Sequence, residues 1–196
     1  YLRYTSGTTG NPKGVMLSHD NYVWTGSSVE DEDYIKVKQD GIQIRMVSYL
    51  PLSHVAAQYS DIVLALSTGA SVFFTDINAL KGTLINYLLE IRPTIFLGVP
   101  RIYEKMEEKV RAILESKPLI FKWASQYGKE GNHALMNKQS PGIMYKLFEK
   151  LVYSKVKENL GLDQTIKFFS GAAPIPLRTR EFFFNLGIFI NNVFGM

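Results

Sequence analysis

The sequence contains no cysteine, which excludes disulfide scaffolds, thiolate metal sites and cysteine nucleophiles. Histidine is scarce. The three are His19, His54 and His133, and no two stand four residues apart, which argues against a histidine-based metal site. Long apolar runs are absent too: none approaches the roughly 18–20 residues of a membrane-crossing helix. The first residues carry no secretory signal, so the expectation is an intracellular protein. What is present suits a packed domain. Of 196 residues 46% are hydrophobic, with 12 Phe and 11 Tyr, enough to fill a core and to exclude general disorder.

The net charge of +4 is unevenly spread. Between Arg101 and Glu158 twelve Lys/Arg face seven Asp/Glu, whereas the remainder holds ten against eleven. A pI near 9.1 invites a nucleic-acid reading. The lysines recur at helical spacing, however, and read better as solvated helix faces, so no nucleic-acid partner is expected. A membrane-surface patch stays open at Leu119, Ile120, Phe121 and Trp123, flanked by Lys117 and Lys122.

Periodicity predicts alternating strands and helices. Ser18 suits the N-cap of a helix through about Ser28, and Glu30-Asp31-Glu32-Asp33 reads as a solvated loop. Strands are expected over 44–50, 70–75, 94–99, 166–170 and 188–193. Helices are expected over 54–66 (stopped by Gly69), 79–91 (before Pro93), 101–115 (with Pro100 in its first turn), 119–127, 143–160 (ended by Gly161) and 177–186. Such alternation argues for an α/β fold of layered βαβ units with a largely parallel sheet. Ligands of such sheets bind beyond the carboxyl ends of strands.

The strongest local signal is Tyr4-Thr5-Ser6-Gly7-Thr8-Thr9-Gly10-Asn11-Pro12-Lys13-Gly14. Glycines let backbone N–H groups approach an anion, hydroxyls add donors, and Lys13 brings a mobile positive charge for a terminal phosphate. A Walker P-loop fails here: counted from Gly7, Pro12 takes the place of the second glycine and Gly14 that of the Ser/Thr. A flexible linker also fits poorly, because Pro12-Lys13-Gly14 runs straight into the apolar Val15-Met16-Leu17.

This segment resembles the nucleotide loop of the adenylate-forming (AMP-binding) superfamily, which holds acyl-CoA synthetases, peptide-synthetase adenylation domains and luciferases. The resemblance implies that Thr5, Ser6, Gly7, Thr8, Thr9, Gly10, Asn11, Pro12 and Lys13 wrap the β- and γ-phosphates of ATP, with Thr5 helping to hold Mg²⁺. Other segments agree. Ser48-Tyr49-Leu50-Pro51-Leu52-Ser53-His54 resembles the family's second motif, which implies that His54 lies beside the carboxylate being activated, in a positioning role. On its own, a histidine at a helix start is more often a cap or packing residue than a catalytic one. Gly98-Val99-Pro100-Arg101 resembles a segment of long-chain fatty acyl-CoA synthetases, and Arg101, whose charge is poorly placed at a helix start, is expected to face the site and position the substrate. Ser170-Gly171-Ala172-Ala173-Pro174 resembles the family's adenine-pocket segment, a role carried to Gly171, Ala172 and Ala173; the plain alternative is a tight strand–helix turn. Phe194-Gly195-Met196 resembles the start of the Tyr-Gly-x-Thr/Ser-Glu motif, with Phe194 keeping a ring to stack on adenine but lacking the hydroxyl.

Within the family the motifs look most like bubblegum-type long-chain acyl-CoA synthetases. The resemblance implies a fatty acid–CoA ligase that uses ATP, Mg²⁺ and coenzyme A, localised to the cytoplasm, with peripheral contact at the endoplasmic reticulum membrane left open. Two rivals remain: a non-catalytic nucleotide-binding or scaffold module, and a phosphotransferase with an unusual P-loop. The sequence ends before the Glu that completes the last motif, which would be the second Mg²⁺ ligand. The ribose-binding Asp segment, the hinge and the C-terminal domain with its catalytic Lys also lie outside it. Residues 1–196 are therefore expected to be part of an AMP-binding domain without its C-terminal domain, unable to complete acyl-CoA synthesis alone and poorly stable by itself.

Overall fold

The computed structural model describes residues 2–4, 11–28 and 41–193, which divide into two compact units, 1–44 with 50–71, and 45–49 with 72–196. In the first unit, β1 (Leu2–Tyr4) pairs antiparallel with β2 (Gly14–Met16), Tyr4 opposite Gly14 and Leu2 opposite Met16. The glycine- and hydroxyl-rich loop is thus the connection of a β-hairpin. Periodicity alone did not predict β2, because a three-residue strand is too short to show alternation.

Helix α1 (His19–Ser28) begins as expected at Ser18. The Ser18 hydroxyl accepts from Asn21 N at 3.2 Å while Ser18 N donates to Asn21 Oδ1 at 2.9 Å, a reciprocal cap that satisfies two backbone donors. Ser18→Ala is expected to cost about 1 kcal/mol locally. Hydrogen exchange of the first-turn amides should accelerate about fivefold.

The next helical run, α2, is α-helical over Val55–Ala57, π-helical over Gln58–Leu64 and α-helical again over Ala65–Thr68. It ends at Gly69 with φ 70°, the left-handed cap glycine accepts easily. α1 packs on α2 closely at Gly26, where an added Cβ would lie 3.0 Å from Ser67 Oγ and Val63 Cγ1. Tyr22 donates to Gln58 Oε1 at 3.1 Å across the same contact.

In the second unit β3 (Arg45–Ser48) pairs with β4 (Ser71–Phe74). Ser71 N donates to Ile44 O and Thr75 N to Ser48 O, the same offset at both ends, as parallel strands require. β5 (Ile95–Gly98), β6 (Lys167–Ser170) and β7 (Ile190–Asn192) form a second sheet, parallel throughout, with Gly98 opposite Ser170 and Ser170 opposite Asn192. β3 runs alongside β5, tied by Thr94 N to Arg45 O at 3.0 Å and Arg45 N to Thr94 Oγ1 at 2.9 Å. The fold is α/β with parallel pairing, as expected, although the described strands form small separate sheets rather than one.

Helices connect these strands. The predicted helix over 79–91 is broken: a 3₁₀ turn (Ala79–Lys81) stops at Gly82, φ 136°, before α3 (Leu84–Ile91). α4 (Pro100–Leu114) carries Pro100 in its first turn and buries Ile102, Tyr103, Met106, Val110 and Leu114. α5 (Pro118–Met136) runs nine residues beyond the predicted end at Tyr127. Its glycines are close-approach positions. A Cβ at Gly128 would overlap the carbonyl oxygen of Asn185, and one at Gly131 the ring of Tyr145. α6 runs as α-helix Ile143–Phe148, π-helix Glu149–Tyr153 and α-helix Ser154–Asn159, and α7 spans Leu177–Phe184.

α5, α6 and α7 share buried polar bonds. Tyr145 donates to Asn132 Oδ1 at 2.8 Å, Asn132 donates to Phe184 O, and Tyr153 donates to Ala124 O at 2.6 Å. Desolvation, with smaller contributions from Tyr145 and Glu149, pushes the Tyr153 hydroxyl well above its ordinary range and keeps it a donor. Beneath the second sheet's carboxyl end lies an aromatic row. Tyr49 stacks on Phe96, Phe96 meets Tyr103 edge-on at 5.8 Å, and Tyr103 meets Phe183 at 5.6 Å.

Candidate functional site

Parallel strands that end side by side bring their following loops together, and the register of β5, β6 and β7 does this for three segments. Gly98, Ser170 and Asn192 stand abreast, so Val99-Pro100-Arg101, Gly171-Ala172-Ala173 and Val193 leave the same edge. Val193 N donates to Ser170 O at 2.8 Å, which extends the ladder one step past the strands. Two of the segments singled out in the sequence therefore converge, and the third, Phe194–Met196, lies outside the described residues.

The middle segment is shaped by small residues. Gly171 is buried, and a Cβ there would come within 2.9 Å of Val193 Cγ2. Ala172 is exposed with φ 71°, left-handed backbone that a residue with a Cβ adopts at a cost of roughly 1–2 kcal/mol. Ala173 is also exposed, so the turn presents backbone and methyl groups rather than long side chains. Strain of this kind persists where the surroundings over-determine it, and such positions cluster at ligand clamps. Ala172→Gly is expected to raise stability by about 1 kcal/mol, read as a higher denaturant midpoint at unchanged slope.

Ser170 was not singled out as a site residue. It is 1% exposed, and its Oγ has no hydrogen-bond partner among the described residues. An unpaired buried hydroxyl costs on the order of 1–3 kcal/mol, and this one stands at the strand end beside the strained turn. Sequence carries no signal for it, because its burial and lack of a partner arise only from the packing of β5 and β7 around it.

The β5 end is fixed by two tyrosines. Tyr49 accepts from Val99 N at 3.3 Å and donates to Leu97 O at 2.9 Å, clamping the strand-to-helix turn. Tyr103 donates to Phe169 O at 3.0 Å, joining the start of α4 to β6. Burial, with a smaller contribution from Tyr49, holds the Tyr103 hydroxyl well above its ordinary range, so it stays protonated in this bond. Arg101, second in α4, is exposed and pairs with Glu104, Nη1 to Oε2 at 3.0 Å. An exposed i,i+3 pair is worth little, so it leaves the guanidinium able to exchange partners.

In the first unit, the strand pairing brings Tyr4 opposite Gly14. Asn11, Pro12 and Lys13 are exposed. Thr5, Ser6, Gly7, Thr8, Thr9 and Gly10 lie outside the described residues. His54 caps α2: its Nδ1 accepts from Ala56 N at 3.2 Å. The local reading of this histidine holds, and the cap has a chemical consequence. With Nδ1 the acceptor, the neutral ring carries its proton on Nε2 and offers that N–H outward as a donor.

No group of three or more His, Asp or Glu side chains among the described residues could hold a metal ion. No described helix is long and apolar enough to cross a membrane.

Comparison with known proteins places this arrangement. The family model for AMP-binding enzymes matches residues 1–196. The chain is 48% identical over 200 residues to the long-chain-fatty-acid–CoA ligase ACSBG2 of Gallus gallus, covering all of this chain and 26% of that protein. It is 44% identical to the human ligase of the same name, covering 29% of it, and 41% identical to ACSBG1 of Rattus norvegicus, covering 28%. The chain thus spans under a third of the length of these relatives. Among solved structures, the adenylation domain of a carboxylate reductase from Mycobacterium chelonae superposes with TM-score 0.64 at 23% identity, over all of this chain and 26% of that one. The A-PCP didomain of the carboxylic acid reductase from Segniliparus rugosus, in complex with AMP, gives 0.65 at 23% identity, over all of this chain and 23% of that one. At such identities the likeness concerns the fold alone, and it agrees with the parallel α/β architecture. With the family model matched from the first residue to the last, the chain belongs to the AMP-binding enzyme family.

Proposed function

We propose that residues 1–196 form part of the adenylation domain of a long-chain fatty acid–CoA ligase. The observation that carries this is the convergence of Val99–Arg101, Gly171–Ala173 and Val193 at the carboxyl ends of three adjacent parallel strands, in a chain 48% identical to a ligase of that name. The reaction has two displacements. A carboxylate oxygen of the fatty acid attacks the α-phosphorus of ATP, and pyrophosphate leaves. The thiol sulfur of coenzyme A then attacks the acyl carbon, and AMP leaves with the bridging oxygen.

Neither displacement requires a protein nucleophile, so positioning and charge stabilisation dominate. On this reading Gly171, Ala172 and Ala173 give the adenine ring a flat backbone surface, with Phe194 stacking on it. The 5–13 loop holds the β- and γ-phosphates through backbone N–H groups and hydroxyls, and Lys13 offsets the charge that pyrophosphate carries away. His54 offers its Nε2 proton to the carboxylate being activated, and Arg101 exchanges Glu104 for an anionic group of the substrate. Mg²⁺ belongs to this reading through Thr5, which lies outside the described residues. Among the described residues no group of three or more His, Asp or Glu side chains could hold the ion.

The test is pyrophosphate exchange by the full-length protein with carboxylic acids from acetate to palmitate and longer. Exchange that rises with chain length supports the ligase. Nucleotide binding with no exchange for any acid contradicts it and favours a binding module.

A further inference from the structure

The segment from Lys117 to Lys157 holds eight lysines and only two glutamates, Glu130 and Glu149. Its helices also face solvent with apolar side chains. On α6, Ile143, Leu147 and Leu151 recur every four residues and so share a face; they are 86%, 46% and 54% exposed, with Met144 beside them. The opposite face packs inward through Tyr145, Phe148, Val152 and Val156. α6 therefore carries two apolar faces, and only one is used by the core. Lys146 and Lys150, also four apart and exposed, border the outer stripe. The start of α5 also combines exposed apolar residues, Leu119 and Trp123 at 65% and 50%, with the neighbouring Lys117 and Lys122.

Solvent-facing leucine and isoleucine bordered by lysine rows match a surface whose outer layer is anionic and whose interior is hydrocarbon. We infer that the outer stripe of α6, with the start of α5, is a docking surface for an anionic lipid bilayer. Charge complementarity selects this occupant. A protein partner or a second copy would have to neutralise both lysine rows while burying the stripe, and a second copy brings the same positive charge. The inference does not rest on the ligase reading, since it uses no residue of the candidate site.

Vesicle flotation of the full-length protein tests it, with phosphatidylcholine alone and with phosphatidylserine added. The protein is expected to float with the anionic vesicles and not with the neutral ones, and added salt should weaken binding. Ile143→Ser combined with Leu147→Ser should lower partitioning about tenfold or more, as should Lys146→Glu with Lys150→Glu. All four positions are exposed, so thermal stability should hold in both double variants. Unchanged partitioning in both double variants overturns the inference. So does a dimer in sedimentation that Leu147→Ser dissolves in a protein that binds no vesicles.

Discussion

Lys13→Ala is expected to lower fatty-acid-dependent pyrophosphate exchange by about a hundredfold to a thousandfold, leaving the unfolding midpoint unchanged. The magnitude follows from the role. A preorganised donor lost from the site of developing charge typically removes about 2.7–4 kcal/mol of transition-state stabilisation. Stability should hold because Lys13 is exposed and sits beside the hairpin ladder, where Tyr4 opposes Gly14, rather than in a core. Lys13→Arg should recover part of the rate, since a guanidinium keeps the charge but fixes its shape. The loss should fall on kcat more than on the KM for ATP if the ammonium acts on the departing pyrophosphate. Exchange within threefold of the parent would remove Lys13 from the mechanism.

The second large effect concerns stability. Gly128→Ala is expected to destabilise the chain by about 3 kcal/mol, against the sign that helix propensity alone would give. Alanine is favoured over glycine inside an exposed helix by roughly 1 kcal/mol. At Gly128, however, the added methyl group would overlap the backbone carbonyl of Asn185 and lie 2.9 Å from the Tyr153 hydroxyl. A backbone carbonyl cannot swing aside, so α5 would have to part from the turn after α7 and loosen the Asn132 and Tyr153 bonds. Gly142→Ala is the control, because among the described residues nothing lies within 4 Å of a Cβ there. Urea unfolding should show a large midpoint fall for the first variant and almost none for the second.

Gly128 also shows where sequence reasoning stopped. Local rules located most elements: the Ser18 cap, the Gly69 stop and Pro100 in a first turn each act within a few residues. The full length of α5 was not legible, since Gly128 and Gly131 look like breakers until Asn185 and Tyr145 are seen pressing against them. The π turns at Gln58–Leu64 and Glu149–Tyr153 were equally hidden, for no spacing in either segment departs from ordinary helical periodicity.

The candidate site divides in the same way. Its loops were visible as runs of glycine, hydroxyl and alanine after strands, and the strand register gathered two of them at one edge. The left-handed backbone of Ala172 and the unpaired Ser170 hydroxyl were not visible, since alanine rarely adopts that conformation and serine hydroxyls are usually paired.

The proposed first step, attack of a fatty carboxylate on the α-phosphorus of ATP, leaves an isotopic signature. Isotope transfer tests it most directly. Palmitate carrying ¹⁸O in its carboxylate is incubated with ATP, coenzyme A and the full-length protein, and the nucleotide is analysed by mass. One ¹⁸O atom from the carboxylate should appear in AMP, the other should stay in the carbonyl of palmitoyl-CoA, and pyrophosphate should be unlabelled. ADP as the nucleotide product, with the label in orthophosphate, would place attack at the γ-phosphorus and contradict the account.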